Sequence, residues 1–114
     1  VMVKETHSIE ELTSCLKIIS DPTRLLIIKL VEKRTFCVCQ LVDMLDMSQP
    51  AVSQHLRKLK LAGLINEERR GQWRFYSLNQ TSLYFPLIKD VIGRISSDND
   101  ELERALSKER PVDC

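Results

Sequence analysis

Apolar side chains recur at three-to-four-residue spacing as far as Gly63, alternate over the next stretch, and then return to the helical spacing. Ser8-Ile9-Glu10-Glu11 has the form of a capping box, and Ile9, Leu12, Leu16 and Ile19 follow on one predicted stripe. A first helix is therefore expected to end near Ser20. Asp21-Pro22 pairs an N-cap residue with a proline at the first helical position. Leu25, Leu26, Ile28, Leu30 and Val31 then predict a strongly buried second helix to about Lys33. A short third helix is expected from about Cys39, carrying Leu41, Val42 and Leu45, with Asp46-Met47 as its connection onward. Ser48 caps a fourth helix that ends at Gly63, a residue suited to the position just past a helix end.

Residues 64–69 and 73–78 read as two strands joined by a turn at Arg70-Gly71-Gln72, which makes a hairpin with a basic tip. A fifth helix is expected from about Thr81, with Leu83, Leu87, Ile88, Val91, Ile92 and Ile95 as its apolar positions and Pro86 in its first turn or at a kink. Residues 101–108 predict a further short helix. Two short helices joined by a tight turn and followed by a hairpin have the order of a winged helix-turn-helix. The expected fold is thus mainly α with a small β-hairpin, about five to six helices in one domain over 1–114. Its core is placed at about 8–95, with 96–114 as a tail.

In the fourth helix Val52, Leu56 and Leu59 fall on one face and must point inward. Ser48, Gln49, Pro50, Ser53, Gln54, His55, Arg57 and Lys58 remain for the outer face and its edges. Glutamine can bond adenine through two contacts and arginine can do the same with guanine. Serine hydroxyls at a helix N-terminus suit phosphate oxygens. Arg69, Arg70 and Gln72 would carry the hairpin tip to the DNA backbone or minor groove. Charge agrees with this reading. The whole chain has a formal net charge of only +1, yet between Gln49 and Tyr76 six Arg and Lys side chains oppose Glu67 and Glu68, a local +4. Double-stranded DNA is the expected partner.

No apolar run approaches the ~20 residues that span a bilayer, and residues 1–10 have no apolar core of a secretion signal. A cytoplasmic protein without a membrane partner is expected. In that compartment Cys15, Cys37, Cys39 and Cys114 point to metal or thiol chemistry rather than structural disulfides. The pair in Phe36-Cys37-Val38-Cys39-Gln40-Leu41 is the informative one. On a regular helix its two side chains would diverge, whereas in an extended entry segment both sulfurs lie on one side. The pair therefore belongs at a helix N-terminus. An enzyme is not expected, nor an organic substrate. The chain has no phosphate-cradling glycine loop, no paired carboxylates and no Cys–His arrangement on a common face.

Three motifs resemble the ArsR/SmtB family of metal-sensing winged-helix repressors, closest to its arsenic-sensing, AseR-like branch. They are Asp21-Pro22-Thr23-Arg24, the Cys37–Leu41 stretch, and Ser48-Gln49-Pro50-Ala51-Val52-Ser53-Gln54-His55-Leu56-Arg57-Lys58-Leu59. Gly71-Gln72-Trp73-Arg74-Phe75-Tyr76-Ser77-Leu78 matches the family's wing, and the likeness covers roughly residues 9–95. It implies a homodimer joined through the first and fifth helices. Such a dimer sits on operator DNA and leaves it when a toxic metal or metalloid binds. The resemblance also implies a metal site at Cys37 and Cys39. The family's alternative zinc site on the fifth helix needs histidine, and this chain has none after His55.

Many relatives carry a third cysteine three residues after the pair, where this chain has Val42. Cys15 is the first candidate for the missing ligand and Cys114 the second. Soft thiolates suit As(III) or Sb(III) as inducer, with Cd(II), Zn(II) or Pb(II) as alternatives that would engage all four cysteines. A thiol-redox switch is the third option.

Overall fold

The computed structural model describes residues 6–112. Its elements run α1 (Ile9–Ile19), α2 (Pro22–Lys33), β1 (Phe36–Cys37), α3 (Val38–Leu45), α4 (Gln49–Leu61), β2 (Ile65–Arg70), β3 (Trp73–Leu78), α5 (Phe85–Gly93) and α6 (Asp100–Ser107). The helix starts follow from local chemistry. Ser8 and Glu11 close the expected capping box. The Asp21 carboxylate accepts from the Arg24 amide at 3.0 Å, with Pro22 beside it in the first turn. The Ser48 hydroxyl accepts from the Ala51 amide and Asn99 caps α6. Asp46 takes a left-handed conformation, φ 53 and ψ 48, and this tight reversal separates α3 from α4.

Helix α2 lies at the centre and packs against α1, α4, α5, α6 and β3. Ile27, Ile28, Leu30 and Val31 are its buried side chains, and Val52, Leu56 and Leu59 of α4 meet the same core, as their spacing requires. Each such side chain contributes about 1.5–3 kcal/mol by leaving water. The three strands form one antiparallel sheet in the order β1-β3-β2. The hairpin register pairs Arg70 with Trp73, so the loop is only Gly71 and Gln72, and Arg70 belongs to the strand rather than the turn. Gly71 has φ +63, the left-handed geometry that such two-residue loops demand.

Four expectations need correction. The two-residue strand β1 was not expected; it pairs Phe36 with Tyr76 and Cys37 with Phe75, and so ties the segment before α3 to the wing. Two residues are too few for an alternating pattern to be read. Helix α5 begins at Phe85 rather than near Thr81, because residues 79–84 are held in turns by Asn79 and Ser82. Pro86 sits in its first turn, without a kink. Helix α1 keeps only part of its expected stripe: Ile19 faces the core and Leu12 is half-buried, but Ile9 is 80% and Leu16 49% exposed, and Cys15 turns inward instead. Helix α6 buries Leu102 and Ala105 against the common core and packs on α2 and α3, so the packed body continues past residue 95. Among the described residues no helix is long and apolar enough to cross a membrane.

Candidate functional site

Cys37 is the N-cap of α3, with extended backbone at φ −87 and ψ 160, and Cys39 lies two residues on in the first helical turn. This change from extended to helical backbone turns both side chains to one side, and the two sulfurs lie 2.8 Å apart. The pair does not sit on an open edge. Cys37 is 1% exposed, and Cys39 is half-buried. Gln40 occupies the third helical position and completes a capping box: its Oε1 accepts from the Cys37 amide at 2.9 Å. Its Nε2 donates to the Arg110 carbonyl at 2.8 Å. The Cys-x-x-Gln spacing is a signal for this cap that sequence reasoning passed over, whereas a contact with Arg110, 70 residues away, has no local trace.

Both thiols line a cavity of about 270 Å³. Gln49 at the start of α4, Gln72 and Trp73 of the wing, and Arg110 also form its walls. The sulfurs therefore share a cavity with two of the side chains expected to meet DNA. The donor set is chemically suited to a soft ion, with two adjacent sulfurs and no carboxylate needed to complete the pair.

Cys15 lies elsewhere. It is 3% exposed and lines a separate cavity of about 510 Å³ with Ile18, Leu61, Leu64 and Tyr84. Burial pushes its thiol pKa up from the ordinary value, which disfavours the thiolate there. Among the described residues of one chain, no group of three His, Cys, Asp or Glu side chains gathers in metal-binding geometry. The structure thus brings Cys37 and Cys39 together and keeps Cys15 apart from them within the chain. Cys114 lies outside the described residues.

The expected DNA-facing side chains are distributed over α4 and the hairpin. Ser48, Gln49, Pro50, Gln54, Arg57 and Lys58 are exposed, as are Arg69, Arg70 and Gln72. Ser53 and His55 are half-buried. His55 has partners inside the chain: the Arg24 guanidinium donates to its Nδ1 at 3.3 Å, and the Asp21 carboxylate lies 3.9 Å away. Arg24 also donates to the Ile18 carbonyl at 2.6 Å, so one side chain joins α1, α2 and the reading helix. The hydrogen bond from the Arg24 amide, followed by the Arg24 and His55 charges, holds the Asp21 carboxyl below its ordinary pKa.

The wing is fastened to α4 by Glu67. Tyr76 donates its hydroxyl to Glu67 at 2.5 Å and Lys60 its ammonium at 2.9 Å. The Tyr76 bond, then that of Lys60, lowers the Glu67 pKa, while burial and the same carboxylate raise that of Tyr76. At the tip, Arg70 bonds Glu68 and lies over the Phe75 ring at 4.7 Å.

Comparison with known proteins agrees with this architecture. The family described as bacterial regulatory protein, arsR family, matches residues 21–67, from the N-cap of α2 into the wing. The arsenical resistance operon repressor of Staphylococcus aureus is 31% identical over 94% of this chain and 99% of its own length. Reduced HlyU from Vibrio cholerae superposes with a TM-score of 0.64 at 30% identity, covering 72% of this chain and 85% of that one. A homodimeric winged helix-turn-helix domain from Mycobacterium bovis superposes with a TM-score of 0.64 over 79% of this chain and 85% of that one. At 21% identity it supports the fold alone. With the winged helix-turn-helix in place and a relative matched along nearly the whole chain, this protein belongs to the arsR family of bacterial regulators, DNA-binding transcription factors rather than enzymes.

Proposed function

We propose that the protein is a homodimeric repressor that holds operator DNA through α4 and the β2–β3 wing and releases it when As(III), or Sb(III), is captured by Cys37, Cys39 and a third thiolate. The carrying observation is the pair of sulfurs 2.8 Å apart in a cavity walled by Gln49 and Gln72. The outward apolar side chains of α1, Ile9 and Leu16, together with Leu83 beside α5, suit a second copy packed on that face. The arsenical resistance repressor of S. aureus supports the choice of inducer.

The chain's own connections supply the mechanism. Cys37 belongs to β1, which is paired with wing strand β3, and Cys39 belongs to α3, which packs on α4. When both sulfurs are drawn toward a third, β1 and the first turn of α3 move together, and they carry the wing and the reading helix out of their mutual spacing. Two heads in a dimer must match half-sites ~34 Å apart. Even a small displacement therefore costs affinity, and a coupling of 1–3 kcal/mol is typical of such linkage.

The test uses a fluorescent duplex selected from a random pool by the purified protein, with anisotropy followed during titration of As(III), Sb(III), Cd(II), Zn(II) and Pb(II) in separate experiments. Release by the two metalloids, abolished in Cys37→Ser/Cys39→Ser, is the expected result. Stoichiometric metalloid binding without release overturns the reading. Release by oxidant alone, reversed by reductant, would put a redox switch in its place.

A further inference from the structure

We infer that Arg24 is a positioning residue for DNA binding: its bond to His55 Nδ1 keeps the ring's one proton on Nε2, and that N–H donates to a phosphate of the DNA backbone. The inference rests on the proposed seating of α4 on DNA and is independent of the inducer. Arg24 stands in the first turn of α2, half-buried, and its guanidinium reaches two other helices at once. Nε donates to the Ile18 carbonyl of α1 at 2.6 Å, and Nη1 donates to His55 Nδ1 of α4 at 3.3 Å. Ile18 lies in the last turn of α1, where a helix leaves its carbonyls without partners of its own. The negative end of the helix dipole also favours a cation there. The Arg24 backbone is fixed in turn, since its amide donates to Asp21 at 3.0 Å.

The proton's place follows from donor chemistry. A guanidinium has N–H donors and no acceptor, so the nitrogen that it meets must accept. His55 Nδ1 therefore presents a lone pair, and the single N–H of the neutral ring falls on Nε2. The Asp21 carboxylate does not claim a proton from Nδ1. At 3.9 Å it is beyond hydrogen-bond range, and its Oδ2 already accepts from the Arg24 amide. Among the described residues Nε2 has no hydrogen-bond partner.

The surroundings suit a phosphate. His55 lies on the flank of α4, between the buried face of Val52, Leu56 and Leu59 and the exposed Gln54 and Lys58. Lys58 is three residues on, so it neighbours the imidazole along the helix surface. Lys58 and Lys17 of α1, both exposed, line one cavity at the α1–α4 junction, and Ile18, the acceptor for Arg24, lines it as well. None of that cavity's lining residues is acidic. A phosphate approaching this flank meets two ammonium groups that attract it and one N–H that fixes its position. Lysine at position 24 would keep the charge but not the fork, whose Nε and Nη1 serve two acceptors in a fixed geometry.

The experiment uses the full chain at about pH 8, where an ordinary imidazole is neutral. Long-range 1H–15N correlation spectra report which ring nitrogen bears the proton, and His55→Gln separates the His55 signals from those of His7. Duplex affinity is read by anisotropy across a range of salt, with circular dichroism to verify folding. The parent is expected to carry the His55 proton on Nε2. Arg24→Lys is expected to give a mixture of tautomers and a complex weaker by roughly 10-fold, the loss of one hydrogen bond to a charged group. His55→Asn, whose side chain reaches only the place of Nδ1, is expected to weaken binding by roughly 10-fold at an unchanged salt slope, because a neutral donor releases no counterion. His55→Gln, whose amide nitrogen reaches the place of Nε2, is expected to restore most of that loss. A parental His55 protonated on Nδ1, an Arg24→Lys spectrum identical to the parent's, or equal affinities for His55→Asn and His55→Gln overturns the inference. Should Arg24→Lys fail to fold, the parental spectrum and the Asn–Gln pair still decide. The proposed function survives such a result as long as Gln54→Ala weakens the complex; if neither Gln54→Ala nor His55→Asn does, α4 is off the DNA and both readings fall together.

Discussion

Cys37 stands opposite Phe75 across the β1–β3 pair, so a residue of the thiol site is also a residue of the wing's sheet. In the proposed mechanism the thiol pair and the wing are thus separated by one strand pairing. Amide hydrogen exchange followed by mass spectrometry tests this route. On adding As(III), exchange at Phe75 and Tyr76 is expected to accelerate while the core of α2 stays protected. Unchanged exchange in β3, with changes confined to α4, would leave the reading helix as the sole moving part.

Gln40 is the buried polar side chain among the described residues, 7% exposed, and both halves of its amide are engaged. Replacing it by Leu strands the Cys37 N–H and the Arg110 carbonyl. The Cys37 N–H is buried and costs about 1–3 kcal/mol when stranded, while water can replace the partner of the carbonyl on exposed Arg110, so Gln40→Leu is expected to lower unfolding stability by about 1–3 kcal/mol in urea titrations. Gln40→Glu keeps the acceptor for Cys37 and loses only the donor to Arg110; it should fall between the two.

Base reading and backbone holding separate by salt. Gln54→Ala removes an exposed base-competent side chain from α4 and is expected to cost about 1–3 kcal/mol at one base pair, with relaxed preference there. Arg69→Ala, at the exposed wing, should weaken all duplexes alike and reduce the slope of log K against log salt by about 1. Equal salt slopes for Arg69→Ala and the parent would remove the wing from the contact surface.

Glu67 predicts an acid-labile clamp. Its pKa is held below the ordinary 4.5 chiefly by the Tyr76 hydroxyl. A carboxylate depressed in the folded state contributes its full stability above the unfolded value, and that contribution is lost as pH falls through the folded one. The stability gap between the parent and Glu67→Gln should therefore be constant above about pH 4.5 and should close below it. Thermal midpoints across pH 3–7 supply the measurement; a gap that widens on acidification contradicts the clamp.

Leu56 is almost wholly buried between α4 and the core. Leu56→Ala is expected to cost about 2–5 kcal/mol through lost burial and the cavity left behind. Chemical denaturation gives the value, and a cost under 1 kcal/mol would mean that α4 is not seated as described.

The sequence alone determined whatever rests on contacts three or four residues apart. Ser8, Asp21 and Ser48 declared three helix starts, Gly71 declared the hairpin loop, and Val52, Leu56 and Leu59 declared the inner face of the reading helix, because caps, turns and helical faces are local physics. The juxtaposition of Cys37 and Cys39 was legible for the same reason: one backbone transition between adjacent residues places both sulfurs. What only the tertiary structure decided depends on which surfaces meet. The α1 stripe gave no sign that Cys15, and not Ile9 or Leu16, would face inward, since an apolar side chain suits the core and a partner's face equally. Strand β1 exists because β3 runs beside it. The Gln40–Arg110 bond and the shared wall of thiols, Gln49 and Gln72 depend on residues far apart in sequence, and such pairings carry no periodic signature because chain packing alone brings them together.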